Sequence, residues 1–523
     1  MPDRPLVHFL VPEWGGTGIY QTFGHRFPPM SLLVLAAHAR RAGWDVEVVD
    51  LNYEPSPLAS ADWEGARSRI GQRRRSGKPD LAALTVWTPN SPNAYRTADG
   101  YRERGVPVVL GGVHASLMPG EALKHADSVV CGEADQIFGT VLADAAAGTL
   151  KPLYQGAFQG MENVPMNHEW ADLYKKWPLT RYAPLNTLQT TRGCRFNCDF
   201  CSVIRINGRG SRHSPVERVI EEVKVLKKVG QHLGDFAYLF FLDDDMAADL
   251  EYTQELCEGI IRSGVKFTWG CQASIGLARD PKMLDLAARA GLRAVFTGFE
   301  SMSRDALIEC NKKNRPGEFG ELIDKIHKRG IAIEGGFIFG FDHDKADVFQ
   351  ETAEFVNRIG VDVAHFAILT PYPGTHTFSR MYAERRITTF DWQKYNLYHV
   401  VHEPVQMTAQ QLHDGLRSVY KWFYQGRRRY PRFTRHMLSR DPRFNMAFAA
   451  SNWNYDRRYR NLTLDEAPAF QADPDEVARM AVASAAPAQE ALNVAFAQAT
   501  PNVAFLGRKP ASSPSSPSSA AAN

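Results

Sequence analysis

The 523-residue chain reads as an α/β protein in which an N-terminal doubly wound, Rossmann-like domain precedes a partial (β/α)6 barrel, a helical C-terminal extension and a disordered tail. Three observations predict this. Short runs rich in Val, Leu and Ile recur between amphipathic stretches, the pattern of parallel strands covered on both faces. The series breaks once, over residues 151–184, and then resumes. From about Asp465 the composition shifts to Ala, Pro and Ser, ending in SSPSSPSSAAAN, with too little apolar periodicity to offset its ordering entropy.

The first domain covers residues 1–150. Its strand-like runs are LVHFLV (6–11), DVEVVD (45–50), LAALTVW (81–87), VPVVLGG (106–112) and DSVVCG (127–132), with amphipathic stretches at 31–43 and 94–105. Ligands of such sheets sit beyond the C-terminal strand ends. The loops there carry Glu13 to Gly18, Thr88 to Asn90, and Gly111 to His114. GGTG at 15–18 is not a nucleotide fingerprint, since GxGxxG and the Walker sequence are both missing.

After a linker at 151–184, the barrel occupies residues 185–375. Its strands are expected at 185–191, 237–243, 266–271, 292–298, 331–340 and 363–370, with helical stretches between them. Residues 376–464 form the helical extension, rich in aromatics and carrying the basic run GRRRYPRFTRH (426–436). The remainder, 465–523, is the tail expected to be disordered.

Net charge is +3, too weak to indicate nucleic-acid binding. Seven cysteines, an odd number at low density, fit a reducing, cytoplasmic setting better than a disulfide scaffold. The N-terminal apolar run ends at Pro12 and Glu13 and lacks the pattern of a secretory signal. No uncharged run reaches the roughly 18 residues of a membrane span. The arginine run 427–429 reads as a solvated face, with docking on an anionic membrane surface as the alternative.

The chemistry concentrates in TTRGCRFNCDFC (190–201), directly after the first barrel strand. Loops after strands form the active face of such barrels. The CxxxCxxC spacing lets one short loop aim Cys194, Cys198 and Cys201 at a common point. Thiolates are soft ligands for zinc or iron–sulfur clusters. A zinc site needs a fourth ligand, for which His213 is nearest, and an inert group of thiols is the bland alternative. A four-iron cubane held by three cysteines keeps one iron open for a ligand. Gly193 suits a tight turn, and Arg192 and Phe200 suit an anionic cluster in a partly apolar shell.

TRGCRFNCDFC resembles the signature loop of radical S-adenosylmethionine (radical SAM) enzymes. The resemblance implies that Cys194, Cys198 and Cys201 hold a 4Fe-4S cluster. It also implies that SAM chelates the open iron and is cleaved reductively to a 5′-deoxyadenosyl radical, and that Phe200 fills the aromatic position beside the last cysteine. The later strands agree. FLDDD (241–245) places Asp243, Asp244 and Asp245 at the active face, and Gln272 and Ser274 follow the third strand. Gly298 and Glu300 lie in GFES (298–301), similar to the family's GxES element near the SAM amino group. Gly336 lies on the fifth strand, where a missing side chain admits a ligand. PYPGT (371–375) is similar to the family's TPxPGT turn.

The first domain resembles the cobalamin-binding domain of the B12-dependent members, on PPMSLLVLA (28–36), VVLGGVH (108–114) and VCGEAD (130–135). The histidine element DxHxxG of other B12 domains is missing. The resemblance implies cofactor contacts from Thr88, Asn90, Gly111, Gly112 and His114. His114 is expected to be a hydrogen-bonding or shape residue rather than a cobalt ligand. Cys131, Cys257, Cys271 and Cys310 are expected to be structural. The implied function is methylation of an unactivated carbon of a small-molecule or lipid substrate, with an external electron donor such as flavodoxin or ferredoxin. Oxidative cyclisation or rearrangement without methyl transfer is the alternative within the same subgroup, and a non-catalytic metal-binding scaffold is the alternative outside it.

Overall fold

A computed structural model describes residues 4–15, 27–59, 77–170, 172–173, 185–229, 238–428, 432 and 470–484. The loop beyond Gly15, most of the basic run after residue 428, and the sequence beyond 484 lie outside the described residues.

The first sheet contains β1 (Leu6–Val11), β2 (Asp45–Asp50), β3 (Leu81–Thr85), β4 (Val108–Gly111), β5 (Ser128–Cys131) and β6 (Leu153–Gln155). Their order is β2-β1-β3-β4-β5-β6, and every pair is parallel. Every residue of β1 and of β5 is buried, because the sheet has a core on each face. The linker therefore starts later than residue 151: Leu153–Gln155 adds a sixth strand beside β5. Three residues are too few to show alternation, so the sequence pattern misses it.

The second sheet contains β7 (Leu185–Leu188), β10 (Tyr238–Phe241), β11 (Thr268–Gln272), β12 (Leu292–Glu300), β13 (Ala332–Phe339) and β14 (Val363–Ile368). A short hairpin, β8 (Thr191–Arg192) with β9 (Arg212–His213), follows β7. The six long strands pair in chain order, β7 at one edge and β14 at the other, as a partial barrel requires. Alternation sorts their side chains. Phe241, Cys271, Ile333, Phe337 and Phe339 bury against the helices. The alternate positions, among them Phe240, Gln272, Gly298, Glu334 and Gly336, turn to the interior.

The extension closes the open edge of this barrel. β14 presents unpaired backbone groups, a liability in any exposed edge strand. Helix Ala409–Phe423 lies along it, and two tyrosines supply the missing partners. The Tyr420 hydroxyl accepts from Phe366 N at 2.9 Å and donates to Phe366 O at 2.7 Å. Tyr424 does the same for Ala364 at 3.1 and 2.8 Å. The aromatics of the extension thus serve packing and edge protection. Arg428 of the basic run lies over the Trp422 ring at 4.0 Å.

Part of the expected disordered tail is ordered. Helix Pro474–Ala483 starts at an Asp473 cap, and buries Val477, Met480 and Ala481 against Leu117, Met118, Phe378 and Trp392. Ser484 accepts from Gly374 N through its hydroxyl (3.0 Å) and from the buried Arg205 through its carbonyl (2.8 Å). One helix thereby ties the first domain to the turn after β14. Its ten residues sit inside an Ala-rich stretch, and burial against two other domains, not periodicity, decides its fate.

His402 gives the fold an acid-sensitive point. It is fully buried, its ring nitrogen is 3.3 Å from Gly340 O, and burial lowers its pKa to about 4. The folded value lies below the ordinary 6.5, so the stability contributed by the neutral ring is complete above about pH 6.5. It is lost as pH falls toward 4, up to roughly 3 kcal/mol at 1.36 kcal/mol per pH unit. A plot of urea midpoint against pH should fall less steeply for His402→Gln than for wild type over that window. Parallel plots would contradict the assignment.

Candidate active site

The two domains meet with the C-terminal ends of their strands facing each other. Arg192, on the cysteine loop, donates to Asp135 Oδ2 at 2.6 Å and Glu133 Oε2 at 3.3 Å, both just beyond β5. Arg212 donates to the same Glu133. Burial works against the Asp135 carboxylate, but the Arg192 guanidinium outweighs it and holds the carboxyl below its ordinary range. Arg192 therefore bridges the domains and is not directed at a cluster, which corrects the sequence reading. Phe27 of the first domain lies 5.7 Å from Phe240 inside the barrel.

The cysteine loop is braced from three sides. Asp243 accepts from Thr190 N (2.6 Å), Thr190 Oγ1 (2.5 Å) and Thr191 N (2.9 Å). Asp244 accepts from Gly193 N and Asn207 Nδ2, both at 2.9 Å. Gly193 has φ +96°, and a Cβ there would lie 2.4 Å from Gly210 O, so only glycine fits. The third side is the segment Cys310–Asn314. Cys310 O accepts from Asp199 N at 3.0 Å, and Asn311 Nδ2 donates to Asn197 O at 2.8 Å. Asn314 Nδ2 reaches Gly298 O and Phe299 O. Phe200 packs toward Ala306, Cys310, Phe341 and Leu369.

Cys194, Cys198 and Cys201 are part-exposed free thiols, while Cys131, Cys257, Cys271 and Cys310 are buried, as the sequence reading expects. Burial pushes the Cys194 thiol up to about 11 and Cys201 up to about 12, so a metal must displace protons to bind them. His213, the alternative fourth ligand for zinc, is occupied elsewhere. Its ring stacks on Tyr252 at 4.3 Å, and its Nε2 lies 3.3 Å from Asp249 Oδ2.

Beside the loop, Lys312 Nζ donates to Glu300 Oε1 at 2.8 Å. Burial opposes the charge on Lys312, but the Glu300 carboxylate and the Cys198 sulfur outweigh it and raise its pKa. Glu300 takes a left-handed backbone, φ 67°, a strained state of the kind retained at functional sites. Gly298 makes room for this pair, since a Cβ there would lie 2.2 Å from Glu300 Oε1. Gly298, Gly336 and His365 are register partners across β12, β13 and β14, and form one row of the interior.

Asp243 was expected to touch the cofactor. Its oxygens instead hold the loop, and burial raises its pKa to about 7. The carboxylate with spare capacity is Asp245. Its Oδ1 accepts from Ser274 N at 2.8 Å, while Asp245 Oδ2 and Ser274 Oγ are buried without partners among the described residues. Gln272 accepts from Met246 N through its backbone and leaves its side chain part-exposed at the strand end.

In the first domain the expected corrin contacts divide. His114 is fully buried, with Nε2 3.1 Å from Glu121 Oε1 and Nδ1 3.2 Å from Thr88 Oγ1. Glu121 also accepts from Tyr95 and from Trp392 Nε1 of the extension. His114 and Thr88 thus belong to an internal network, which corrects their assignment as cofactor contacts. At Gly112, φ is +94°, and a Cβ would lie 2.8 Å from Val86 N, so packing explains this glycine. Gly111 stays part-exposed at the strand end. Asn90 Oδ1 accepts from Trp87 N at 2.8 Å, but its Nδ2 is buried without a partner among the described residues.

Comparison with known proteins defines the class. Residues 16–142 match the B12 binding domain, and residues 188–356 match the Radical SAM superfamily. The chain is 31% identical over 349 residues to the bacteriochlorophyllide d C-12(1)-methyltransferase of Chlorobaculum tepidum, covering 66% of this chain and 75% of that protein. It is 26% identical over 486 residues to the anaerobic magnesium-protoporphyrin IX monomethyl ester cyclase of Rubrivivax gelatinosus, covering 87% and 84%. The fold matches the cobalamin-dependent SAM radical enzyme OxsB, with a TM-score of 0.63 at 15% identity, covering 96% of this chain and 80% of that one. The chain belongs to the family of radical SAM enzymes that carry a B12-binding domain. It is an enzyme, and the cofactors of its class are a 4Fe-4S cluster, SAM and cobalamin.

The sequence reading missed Lys312 and the Cys310–Asn314 brace, and did not single out Asp245 among the three aspartates it placed at the active face. The run NKKN (311–314) was the available signal: two asparagines flank two lysines just after a helix, at the active end of the barrel.

Proposed function

We propose that the chain transfers a methyl group from SAM to an unactivated carbon, with Cys194, Cys198 and Cys201 as the cluster ligands. The apposition of the two strand-end faces through Arg192, Asp135 and Glu133 carries this reading. It places the B12-type domain across from the cysteine loop, so a substrate in the barrel mouth lies between them. An unactivated carbon has no lone pair with which to attack a sulfonium methyl. A hydrogen-abstracting radical and a cobalt-borne methyl donor, supplied by the bound cofactors, remove that barrier.

The chain's own residues hold and orient. Asp243 and Asp244 fix the loop. Glu300, Asp245 and Ser274 offer polar groups to SAM, beside Gln272. Lys312 sets positive charge beside an anionic cluster, a fit between site and group. Phe27 and Phe240 give the mouth apolar walls that limit water and side reactions. An external one-electron donor completes the reading.

The two relatives act on bacteriochlorophyllide d and on magnesium-protoporphyrin IX monomethyl ester, so substrates of that class are the first probes. Anaerobic turnover with bacteriochlorophyllide d, SAM, hydroxocobalamin and a strong reductant should give S-adenosylhomocysteine together with 5′-deoxyadenosine. 5′-Deoxyadenosine alone favours the cyclising reading, which the resemblance to the Rubrivivax cyclase supports. Neither product, with cluster and SAM present, contradicts both.

A further inference from the structure

The corrin contacts expected from sequence all lie in the first domain, and three of the five turn inward in the structure. The topology indicates where the missing contacts are. The strand order β2-β1-β3 reverses direction between β1 and β3, so the crevice for a ligand opens between their C-terminal ends. Trp14 follows β1 and Trp87 follows β3. Their rings are 6.2 Å apart, and Trp87 is 40% exposed, an unusual exposure for so large an apolar side chain. The Trp14 loop is anchored, because Asn52 Oδ1 accepts from Trp14 N at 2.9 Å and Asn93 Nδ2 donates to Glu13 O at 2.9 Å.

A third segment reaches the same crevice from the other end of the chain. The extension turns at Trp392–Lys394, where Trp392 anchors on Glu121 of the first domain at 3.1 Å. The next side chain, Gln393, lies over the β1 loop: a Cβ on Gly15 would be 3.5 Å from its Cδ and 3.6 Å from its Oε1. Gln393 is only 5% exposed, and its Oε1 has no partner among the described residues. Asn90 Nδ2, at the β3 end, is in the same state. A buried, unmet acceptor and a buried, unmet donor at one crevice are each costly until a ligand satisfies them.

We propose that Gln393 of the C-terminal extension, with the Trp14 and Trp87 indoles, completes the cobalamin site. A corrin is a broad macrocycle with apolar faces and a rim of carboxamides. The indoles cover one face, and Gln393 Oε1 accepts from a rim amide whose carbonyl Asn90 Nδ2 or its neighbours can serve. This rests on the first domain binding cobalamin.

Titration of the anaerobic full-length protein with hydroxocobalamin, followed by tryptophan fluorescence and equilibrium dialysis, tests it. Gln393→Leu should weaken binding at least about tenfold, equivalent to about 1.4 kcal/mol. Gln393→Glu keeps the acceptor and should stay within about threefold of wild type. Trp87→Ala should lose affinity as Gln393→Leu does, while Trp87→Phe retains most of it. Iron content and thermal unfolding of each variant show that the fold is intact. Equal affinity of Gln393→Leu and wild type, or equal loss in Gln393→Leu and Gln393→Glu, overturns the role of Gln393. Failure of the wild type itself to bind overturns the cobalamin reading beneath it.

Discussion

Cys198→Ala should purify as a folded protein that, after anaerobic reconstitution, holds no stable 4Fe-4S cluster and yields no detectable 5′-deoxyadenosine from SAM. On the proposed ligand set the loop offers three thiols and would leave one iron to SAM, so no spare ligand would replace the lost one. Cys310 is nearby but buried, and its Sγ lies 3.6 Å from Leu307 O within its own helix end. The loop backbone does not depend on the Cys198 side chain, because Asp199 N and Thr377 N bond across it to Cys310 O and Asp199 O. Iron and sulfide analysis with product chromatography checks this. A variant that keeps wild-type iron content and SAM cleavage would remove Cys198 from the ligand set.

Asp243→Ala should be almost as damaging, and by another route. The substitution leaves three donors without their acceptor: Thr190 N, Thr190 Oγ1 and Thr191 N. Each buried unmet donor costs about 1–3 kcal/mol, so roughly 4 kcal/mol of local stability is at stake immediately before the first cysteine. Asp243→Asn should be milder, because its Oδ1 can still accept from both backbone N–H groups and its Nδ2 can donate to the Thr190 hydroxyl. For Asp243→Ala the expected result is cluster content below about a tenth of wild type, with global unfolding shifted much less than local loss at the loop, since the surrounding core remains. Hydrogen exchange at Thr190 and Thr191 separates the two. Retained cluster content in Asp243→Ala would mean that the loop holds its shape without this brace.

The fold was legible because its signal is local. Strands such as Leu6–Val11 and Val363–Ile368 are continuous apolar runs, and a parallel sheet with helices on its faces demands them. The cysteine triad was legible for the same reason, being one short loop. What sequence reading missed depends on distant juxtaposition. Three adjacent aspartates look alike in FLDDD, and only the fold shows that Asp243 and Asp244 brace the loop while Asp245 keeps an oxygen free. Lys312 is twelve positions from Glu300, and meets it only because β12 ends in a left-handed turn. His114 looked like a surface loop residue, yet Glu121 and Trp392, seven and 278 positions away, enclose it. Helix Pro474–Ala483 is ordered by surfaces of other domains, to which its own composition gives no clue.

The most direct test of the central claim is low-temperature electron paramagnetic resonance of the reduced, reconstituted protein with and without SAM. Three cysteines around an open iron predict a reduced-cluster signal whose g-values shift when SAM is added, as its amino and carboxylate groups take the fourth iron. A cluster signal indifferent to saturating SAM, or no cluster signal at all, would contradict it.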